Sequence, residues 1–366
     1  MNERRSVFVV SCNSLPTRRF TQGDRQTMES NQERLDESDQ ELLARFSSVS
    51  KTLIERLKRQ IVGQDAVLEE ILAAFFAGGH LLLTGAPGLG KTHIARSIAA
   101  ALELKFNRVQ FTPDLTPSDV LGSNVLQESP TTGERSFEFM PGPIFTNVLL
   151  ADELNRTPPK TQAALLEAMQ ERQVTLSGKR YELEEPFFVL ATTNPIEYEG
   201  TYVLPESQLD RFLFSAKIDY PKAAAETEMV LMTTGERRPP EKPLLSLEDV
   251  LRFQALVRRV PLPVRIAEHA AALARKTRPQ LKSSSELTQK YVEQGAGPRA
   301  SQAIALGAKS FAAAAGRPVV SVEDVERAAP LALRSRIVLN YLAQGDGIDV
   351  DLLVRKIIRE VGAERE

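Results

Sequence analysis

The feature that most constrains the fold is a glycine-rich loop between an apolar run and a helical pattern. Residues 85–92 read Gly-Ala-Pro-Gly-Leu-Gly-Lys-Thr, which matches the full phosphate-binding loop pattern. Leu81, Leu82 and Leu83 form a short apolar run before the loop, and residues 92–102 continue with apolar residues at helical spacing. In such a strand–loop–helix unit, the loop N–H groups and the helix N-terminus converge on bound phosphates.

The loop supplies a set of candidate nucleotide contacts. Lys91 would bring a positive charge to the β- and γ-phosphates, and Thr92 would offer a hydroxyl ligand to Mg²⁺. The other loop residues predicted to contact the nucleotide are Gly85, Pro87, Gly88 and Gly90. A glycine-rich turn that carries Lys-Thr by chance is the structural alternative, but the flanking strand and helix favour a nucleotide site.

A second buried strand ends in two carboxylates. Residues 148–151 are continuously apolar, and Asp152 and Glu153 follow them directly, which is a Walker B pattern. The carboxyl ends of parallel strands face the ligand crevice, so Asp152 can reach the Mg²⁺ shell. Glu153 would polarise the attacking water. Without the upstream loop the same pair is typical of a surface turn; with it, a catalytic site is favoured.

Three more polar residues are candidates, each with a structural alternative. Asn194 ends a third buried strand and could hold water against the γ-phosphate, but it equally suits the turn before Pro195. Arg211 precedes a further strand and is either a solvated or ion-paired surface residue or an arginine finger that acts across a subunit boundary. Arg299 lies in the first turn of a predicted helix, where the macrodipole disfavours cations, which favours a ligand-facing role.

Short apolar strands alternate with helices up to Pro221, which predicts an α/β core with a parallel sheet and helices on both faces. Two hairpins are expected as insertions, at 127–139 and 174–183. We predict a flexible tail at 1–42, the α/β core at 43–221 and an all-helical domain at 222–366. Its helices are expected at about 222–234, 246–259, 263–278, 298–315, 321–334 and 350–361.

Composition excludes several other classes of protein. Hydrophobic residues make up 42% and charged residues 26% of 366 residues, which excludes wholesale disorder. Cys12 is the single cysteine, and the three histidines lack metal-ligand spacing, so a disulfide scaffold and a histidine metal site are excluded. No window approaches a secretory signal or a membrane span, so we expect a cytoplasmic protein without membrane insertion.

The charge balance argues against a nucleic-acid-binding protein. The net charge is −2 and aromatic residues are 6%, which leaves neither a global basic field nor many stacking platforms. Two local basic clusters exist, Arg258-Arg259 and Arg275-Lys276 with Arg278, and solvated helix faces explain them. No nucleic-acid partner is therefore expected.

Taken together, the motifs resemble the MoxR family of AAA+ ATPases over most of the chain, from about Leu57 to about Ile337. The stretches that carry the resemblance are Ile61-Val62-Gly63-Gln64, Gly79-His80-Leu81-Leu82-Leu83, the phosphate-binding loop, Phe111-Thr112-Pro113-Asp114-Leu115, Pro117-Ser118-Asp119, Pro141-Gly142-Pro143-Ile144-Phe145, Leu150-Ala151-Asp152-Glu153-Leu154-Asn155-Arg156, Pro158-Pro159-Lys160-Thr161-Gln162, Ala164-Leu165-Leu166-Glu167-Ala168-Met169, Leu204-Pro205-Glu206 and Gln208-Leu209-Asp210-Arg211-Phe212. Two departures are modest: Thr193 stands where Gln is expected and His93 where an apolar residue is usual.

The resemblance implies a fold and a role for each candidate. It implies an AAA+ core followed by a helical lid, with two hairpins that in related rings face the pore or a client. The roles implied are adenine contact for Gly63 and Gln64, catalytic base for Glu153, sensor 1 for Asn194, arginine finger donated to a neighbour for Arg211 and sensor 2 for Arg299.

The resemblance also implies cofactors and partners. ATP and Mg²⁺ are the expected cofactors, and a ring of identical subunits, with a hexamer as the expected size, is the expected assembly. Members of the family are thought to remodel or activate protein complexes, commonly with a partner that carries a von Willebrand factor A domain. Two alternatives stay open: a nucleic-acid motor or loader, and a nucleotide-switched scaffold with negligible turnover.

Overall fold

The computed structural model describes residues 35–128, 135–194, 201–235 and 241–363. The strands in chain order are β1 (Leu81–Thr84), β2 (Phe106–Gln110), β3 (Gly122–Glu128), β4 (Arg135–Pro141), β5 (Val148–Asp152), β6 (Gln173–Leu176), β7 (Lys179–Glu182), β8 (Phe188–Thr193), β9 (Phe214–Lys217), β10 (Val292–Gln294) and β11 (Val338–Leu339).

The helices are distributed over the whole described chain, and a 3₁₀ turn at Leu154–Arg156 follows β5. In chain order they are α1 (Glu37–Lys58), α2 (Asp65–Phe76), α3 (Lys91–Ala101), α4 (Pro117–Leu121), α5 (Pro159–Glu171), α6 (Glu206–Leu209), α7 (Ala223–Thr234), α8 (Leu247–Arg259), α9 (Val264–Lys276), α10 (Glu286–Tyr291), α11 (Pro298–Ala314), α12 (Val322–Leu333), α13 (Tyr341–Gly345) and α14 (Val350–Ala363).

A five-stranded parallel sheet in the order β2-β5-β8-β1-β9 confirms the predicted α/β core. Alternate residues of its strands enter two separate apolar clusters. Leu81 and Leu83 pack into the larger cluster with α1, α2 and α3, whereas Leu82 packs into the smaller one with α5. Because both faces are covered, the central strands are apolar throughout, which is the pattern that identified them in the sequence.

The larger apolar cluster also contains residues of α8, α9, α11, α12 and α14. The ring of Phe46 on α1 lies 4.8 Å from Phe76 on α2 and 4.9 Å from Phe253 on α8, centroid to centroid. One core therefore joins α1 and the later helices to the sheet. The described residues from Leu35 onward form one compact unit, and the predicted domain boundary at 221/222 stays a prediction.

Helix α1 begins earlier than its apolar repeat predicted. It begins at Glu37 rather than Leu43, because the Asp36 side chain accepts a hydrogen bond of 2.7 Å from the Asp39 N–H and caps the first turn. The last residues of the tail predicted over 1–42 therefore belong to this helix. The rest of that tail, residues 1–34, lies outside the described residues.

Both predicted hairpins are present, and the first is longer than expected. Strands β3 and β4 pair antiparallel from Gly122–Pro141 to Glu128–Arg135, so the hairpin includes residues on both sides of the predicted range 127–139. Apart from Gly122 and Phe139, the residues of both strands are exposed, so no alternation of buried and exposed residues marks the strands in the sequence. The predicted turn signals at Pro130 and Gly133 lie outside the described residues. The second hairpin, β6–β7, turns at Ser177-Gly178 as predicted.

The region after Pro221 holds all six predicted helices, as α7, α8, α9, α11, α12 and α14, together with elements that the sequence did not predict. The short helices α10 and α13 and the antiparallel pair β10–β11 were missed, so this region also contains two short strands. Strands of two or three residues are too short for a period-2 pattern. Part of the Pro-rich loop predicted at 237–243 lies outside the described residues.

Helix α11 approaches β9 unusually closely at a glycine. A Cβ atom on Gly307 would lie 2.1 Å from the Phe214 ring of β9 and 3.2 Å from the Ala328 methyl of α12. A Cβ contact of 2.1 Å is far too short, so a side chain at this position would require α11 or Phe214 to move. Gly307 thus sets the spacing between the helix and the sheet.

His80 is a buried histidine that ties three elements together just before β1. Its Nδ1 accepts a hydrogen bond of 3.1 Å from the Val189 N–H, so Nε2 carries the proton and donates to the Met169 carbonyl at 3.2 Å. Burial lowers the pKa of His80 to about 4, an effect that the Met169 hydrogen bond opposes and the charge of Arg172 reinforces. The imidazole is therefore neutral in the folded protein at pH 7.

We predict that this histidine makes stability fall in acid. Below pH 6.5 the unfolded chain protonates its histidine, but the folded chain does not until about pH 4, so unfolding is favoured as the pH falls through this window. The lowered pKa corresponds to about 3 kcal/mol over the window. The free energy of unfolding should be measured in urea for wild type and His80→Gln between pH 7.5 and about 4. The loss of stability caused by His80 should appear in wild type and be missing from His80→Gln.

The matched control is His93→Gln, since His93 is exposed and should keep the wild-type pH profile. Burial raises the pKa of Glu70 to about 7, so this group lowers stability as the pH rises, opposite to His80. Because Glu70 is present in every variant, the effect of His80 is read from the difference between variants. Parallel pH profiles for wild type and His80→Gln would contradict the prediction.

Candidate nucleotide-binding site

The glycine-rich loop leaves the carboxyl end of β1 and ends at the first residue of α3. A Cβ on Gly85 would lie 2.4 Å from the Ile218 carbonyl oxygen, so only glycine fits beside the end of β9. Gly88 and Gly90 have left-handed φ angles of +83° and +79°, and a Cβ on either would meet no atom within 4 Å. Open space therefore lies against the loop backbone, as phosphate binding requires. Pro87 is exposed beside it.

Lys91 lies half-buried at the start of α3, and its Nζ donates to the Gly85 carbonyl. Burial lowers the pKa of its ammonium group, and the charges of Asp152 and Glu153 oppose that effect. The lysine is thus positioned between the loop and the two carboxylates. Thr92 follows it as a partly buried residue in the first turn of α3.

Asp152 is held by two neighbours at the carboxyl end of β5. Its Oδ1 accepts a hydrogen bond of 2.6 Å from the Thr192 hydroxyl, and its Oδ2 accepts from Arg108 Nε at 3.1 Å and Nη2 at 2.8 Å. A carboxylate has about four acceptor positions, so one on Oδ1 remains. Asp152 can therefore accept a hydrogen bond from one water of a Mg²⁺ shell, which fits the predicted metal role.

Glu153 has a strained backbone. Its φ of +57° and ψ of +48° are left-handed, which costs a residue with a side chain about 1–2 kcal/mol. The Thr192 hydroxyl accepts the Glu153 N–H at 2.9 Å, while the carboxylate accepts from Gln110 Nε2 at 2.7 Å and Arg156 Nη1 at 2.9 Å. The strain is thus held by a network that fixes the direction of the side chain.

The remaining candidates at this end of the sheet come from β8 and from the loop before α2. Asn194 is buried and follows β8, which lies between β5 and β1. Gln64 Nε2 donates to the Asp219 carbonyl at 2.9 Å, and a Cβ on Gly63 would lie 2.9 Å from the Ala225 Cβ. The loop before α2 therefore packs on the segment that follows β9, next to the phosphate-binding loop.

Arg211 and Arg299 lie elsewhere, at the amino end of the sheet. Strand β9 pairs with β1 in parallel, with Leu81 opposite Phe214, so Arg211 is at the opposite end of these strands from Gly85. Four strand residues span about 13 Å. Arg299 joins Arg211 there, since its Nη1 lies 3.7 Å from an oxygen of Asp210. The structure thus divides the predicted site residues into two groups.

A cavity of about 320 Å³ marks the second group. Its lining includes four arginines, which are Arg172, Arg211, Arg299 and Arg336. The Arg211 Nη1 donates to the Leu166 carbonyl at 3.2 Å. This end of the sheet therefore concentrates positive charge in an open cavity.

Sequence reasoning missed the residues that hold the carboxylates. These are Arg108, Gln110, Arg156 and Thr192. Arg108 and Gln110 alternate along β2, which is a visible pattern, but their relation to Asp152 depends on the β2–β5 pairing, which local sequence does not contain. Thr192 had a signal, because it is a polar residue inside an apolar strand.

Two arginines of the basic clusters noted in the sequence make contacts within the fold. Arg259 pairs with Asp39 at 2.7 Å, and Arg278 Nε donates to the Ala296 carbonyl at 2.8 Å. Among the described residues, no group of three or more His, Cys, Asp or Glu side chains could hold a metal ion. In the same part of the chain, no helix is long and apolar enough to cross a membrane.

We predict that Lys91→Ala weakens ATP binding by about 10- to 100-fold, because a hydrogen bond to a charged group contributes about 1.5–3 kcal/mol. Titration of a fluorescent ATP analogue would measure this. Lys105→Ala is the matched control, since Lys105 is exposed and pairs with Glu184 at 2.6 Å, away from the loop. Equal affinities for wild type and Lys91→Ala would contradict the assignment of the loop.

Comparison with known proteins supports the same interpretation. Residues 80–214 match the model of the AAA family, described as ATPases associated with various cellular activities, and residues 284–357 match the AAA lid domain. A crystal structure of a Cytophaga hutchinsonii protein, provisionally described as an ATPase, has a TM-score of 0.81 and 36% sequence identity. The match covers 88% of this chain and 97% of that chain.

Two curated relatives are similar over most of their length. The uncharacterized protein YeaC of Bacillus subtilis is 41% identical over 84% of this chain and 92% of its own. Chaperone MoxR1 of Mycobacterium tuberculosis is 38% identical over 87% of this chain and 83% of its own. With its AAA and lid matches and these relatives, the chain belongs to the MoxR family of AAA+ ATPases.

Proposed function

We propose that this protein binds and hydrolyses ATP with Mg²⁺ in a ring of identical subunits and uses the cycle as a chaperone-like remodelling factor for protein complexes. The observation that carries the proposal is the separation of the site residues into two groups. The phosphate-binding loop and carboxylates lie at the carboxyl end of the sheet, while Arg211 and Arg299 lie at the amino end.

The carboxyl end supplies what nucleotide hydrolysis requires of one subunit. The loop N–H groups and Lys91 would bind the phosphates, and Thr92 with Asp152 would hold Mg²⁺, which would neutralise charge on the β- and γ-phosphates. Glu153 would orient the attacking water, and Asn194 would hold that water against the phosphate. Gly63 and Gln64 would contact the adenine.

The amino end supplies what a neighbouring subunit requires. Arg211 cannot reach its own nucleotide past the length of β1 and β9 without rearrangement of the sheet. Placed against the carboxyl end of an adjacent copy, Arg211 and Arg299 would both act in trans. Contacts between two different faces of one chain generate a ring when the rotation closes. A hexamer is the proposed size.

The hairpins support a protein client. Phe137 on β4 is 75% exposed, and its cross-strand partner Leu126 and, further along β4, Met140 are exposed as well. At the base of the hairpin, Phe139 stacks on Tyr181 of the second hairpin with a centroid distance of 3.9 Å. Exposed apolar residues on a joined pair of hairpins are typical of a protein-binding surface.

Family resemblance supports the rest of the proposal. It includes a von Willebrand factor A domain partner, a cytoplasmic location, an α/β core up to residue 221 and a lid from residue 222. A nucleic-acid motor or loader gains no support from the basic clusters, because Arg259 and Arg278 are engaged within the fold. A scaffold with negligible turnover is disfavoured by the held carboxylate of Glu153.

Mixed rings test the trans arrangement. Arg211→Ala should keep its affinity for ATP but lose about 10³-fold or more in turnover, and Glu153→Gln should also be inactive. Mixed in equal amounts, the two should recover about a quarter of wild-type activity, because a quarter of the sites combine an intact base with a neighbour's intact arginine. Steady-state ATPase assays of assembled protein would measure this.

The control mixture is Lys91→Ala with Glu153→Gln, whose defects share one nucleotide site and should not complement. If the ATPase activity of the Arg211→Ala and Glu153→Gln mixture is no greater than the sum of the two variants' separate activities, Arg211 has a structural role instead.

A further inference from the structure

A buried arginine holds the backbone on both sides of Arg211. Arg336 follows α12, and its side chain is only 4% exposed. An arginine side chain has five N–H donors, and all five are used here. They bind Asp210 Oδ1 at 2.6 Å, the carbonyls of Leu213 at 3.2 Å and Ala332 at 2.6 Å, and the carbonyls of Asp210 at 3.1 Å and Phe212 at 2.7 Å.

This arrangement leaves Arg336 no donor for a ligand. Burial lowers the pKa of its guanidinium, and the hydrogen bond and charge of Asp210 oppose that effect. A buried charge is tolerated when it is paired and hydrogen-bonded, which is the case here. Arg336 therefore acts as a clamp on the segment 210–213 rather than as a contact to substrate.

The clamped segment contains the group proposed to act in trans. Among the described residues, the Arg211 side chain makes few contacts: its Nη1 donates to the Leu166 carbonyl at 3.2 Å, and its buried Nε has no hydrogen-bond partner there. Its position is thus set mainly by its backbone, which Arg336 binds at Asp210 and Phe212. Asp210 extends the clamp, because its second oxygen lies 3.7 Å from Arg299.

We propose that Arg336 is a positioning residue that sets the place of Arg211 and, through Asp210, that of Arg299. The inference rests on the proposed trans role of Arg211. It adds that the arginines offered to a neighbour are attached to the helical region after Pro221, so a shift of that region moves both of them. Hydrolysis in one subunit then depends on the position of its neighbour's helical region.

The test is Arg336→Gln, which keeps an amide donor but loses the charge and most of the five hydrogen bonds. Because a displacement of about 1 Å can cost about 100-fold, we expect kcat to fall by about 10- to 100-fold. The KM for ATP should change by less than about twofold, since the variant's own phosphate-binding loop is untouched. Arg336→Lys, with three donors, should recover part of the loss.

Complementation separates positioning from general damage. Arg336→Gln mixed with Glu153→Gln should regain activity, because the Glu153→Gln subunit supplies a correctly held Arg211 to its neighbour. Arg336→Gln mixed with Arg211→Ala should not, because both fail to offer the same group.

Arg334→Gln is the matched control. Arg334 lies two residues away and also links the later helices to β9, but its hydrogen bonds go to the Ser215 carbonyl and to Asp351 rather than to the segment 210–213. It should keep near wild-type turnover. Thermal unfolding midpoints of both variants should be recorded, and if Arg336→Gln does not assemble, Arg336→Lys takes its place in the mixtures.

The outcomes distinguish a wrong positioning role for Arg336 from a wrong ring mechanism. If Arg211→Ala is complemented but Arg336→Gln is not, or if Arg334→Gln loses as much turnover as Arg336→Gln, the positioning role is wrong and the trans arginine stands. If Arg211→Ala is not complemented either, the proposed ring mechanism is wrong, and the role of Arg336 falls with it.

Discussion

Parallel pairing of β5, β8, β1 and β9 determines at which end of the sheet the candidate groups flanking these strands lie. Because these strands run in one direction, segments that follow them meet at one end of the sheet and segments that precede them meet at the other. Gly85 and Asn194 follow strands, whereas Arg211 precedes one. The carboxyl end therefore holds the phosphate-binding loop with Asp152 and Glu153, and the amino end holds four arginines around a cavity.

At the carboxyl end, a single hydroxyl connects both carboxylate residues. Thr192 donates to Asp152 and accepts from the N–H of Glu153, so one side chain of β8 orients two residues of β5. Arg108 and Gln110 hold the outer oxygens from β2 on the opposite side. The left-handed backbone of Glu153 is sustained by these contacts, which places a strained residue at the point where chemistry is proposed.

Sequence reasoning succeeded where the information is local. The strand, loop and helix around residues 81–102 follow from neighbouring residues, as does the Ser177-Gly178 turn. It failed where partners are distant in the chain. Arg336 lies more than a hundred residues from Asp210, and nothing in its local sequence distinguishes it from Arg334. The sequence also marked Arg299 as ligand-facing, but only the fold places it beside Arg211 rather than beside Lys91.

The close packing at Gly307 limits which residues can replace it during evolution. It lies on α11, the helix that begins at Pro298 and carries Arg299 in its first turn. Any side chain at position 307 would press on Phe214 and Ala328 and move that helix outward. A buried residue that belongs to neither group of candidate site residues therefore constrains the helix that carries Arg299 beside Asp210. In a screen of natural or random variants scored by activity, position 307 would select against any side chain, although it is remote from the phosphate-binding loop.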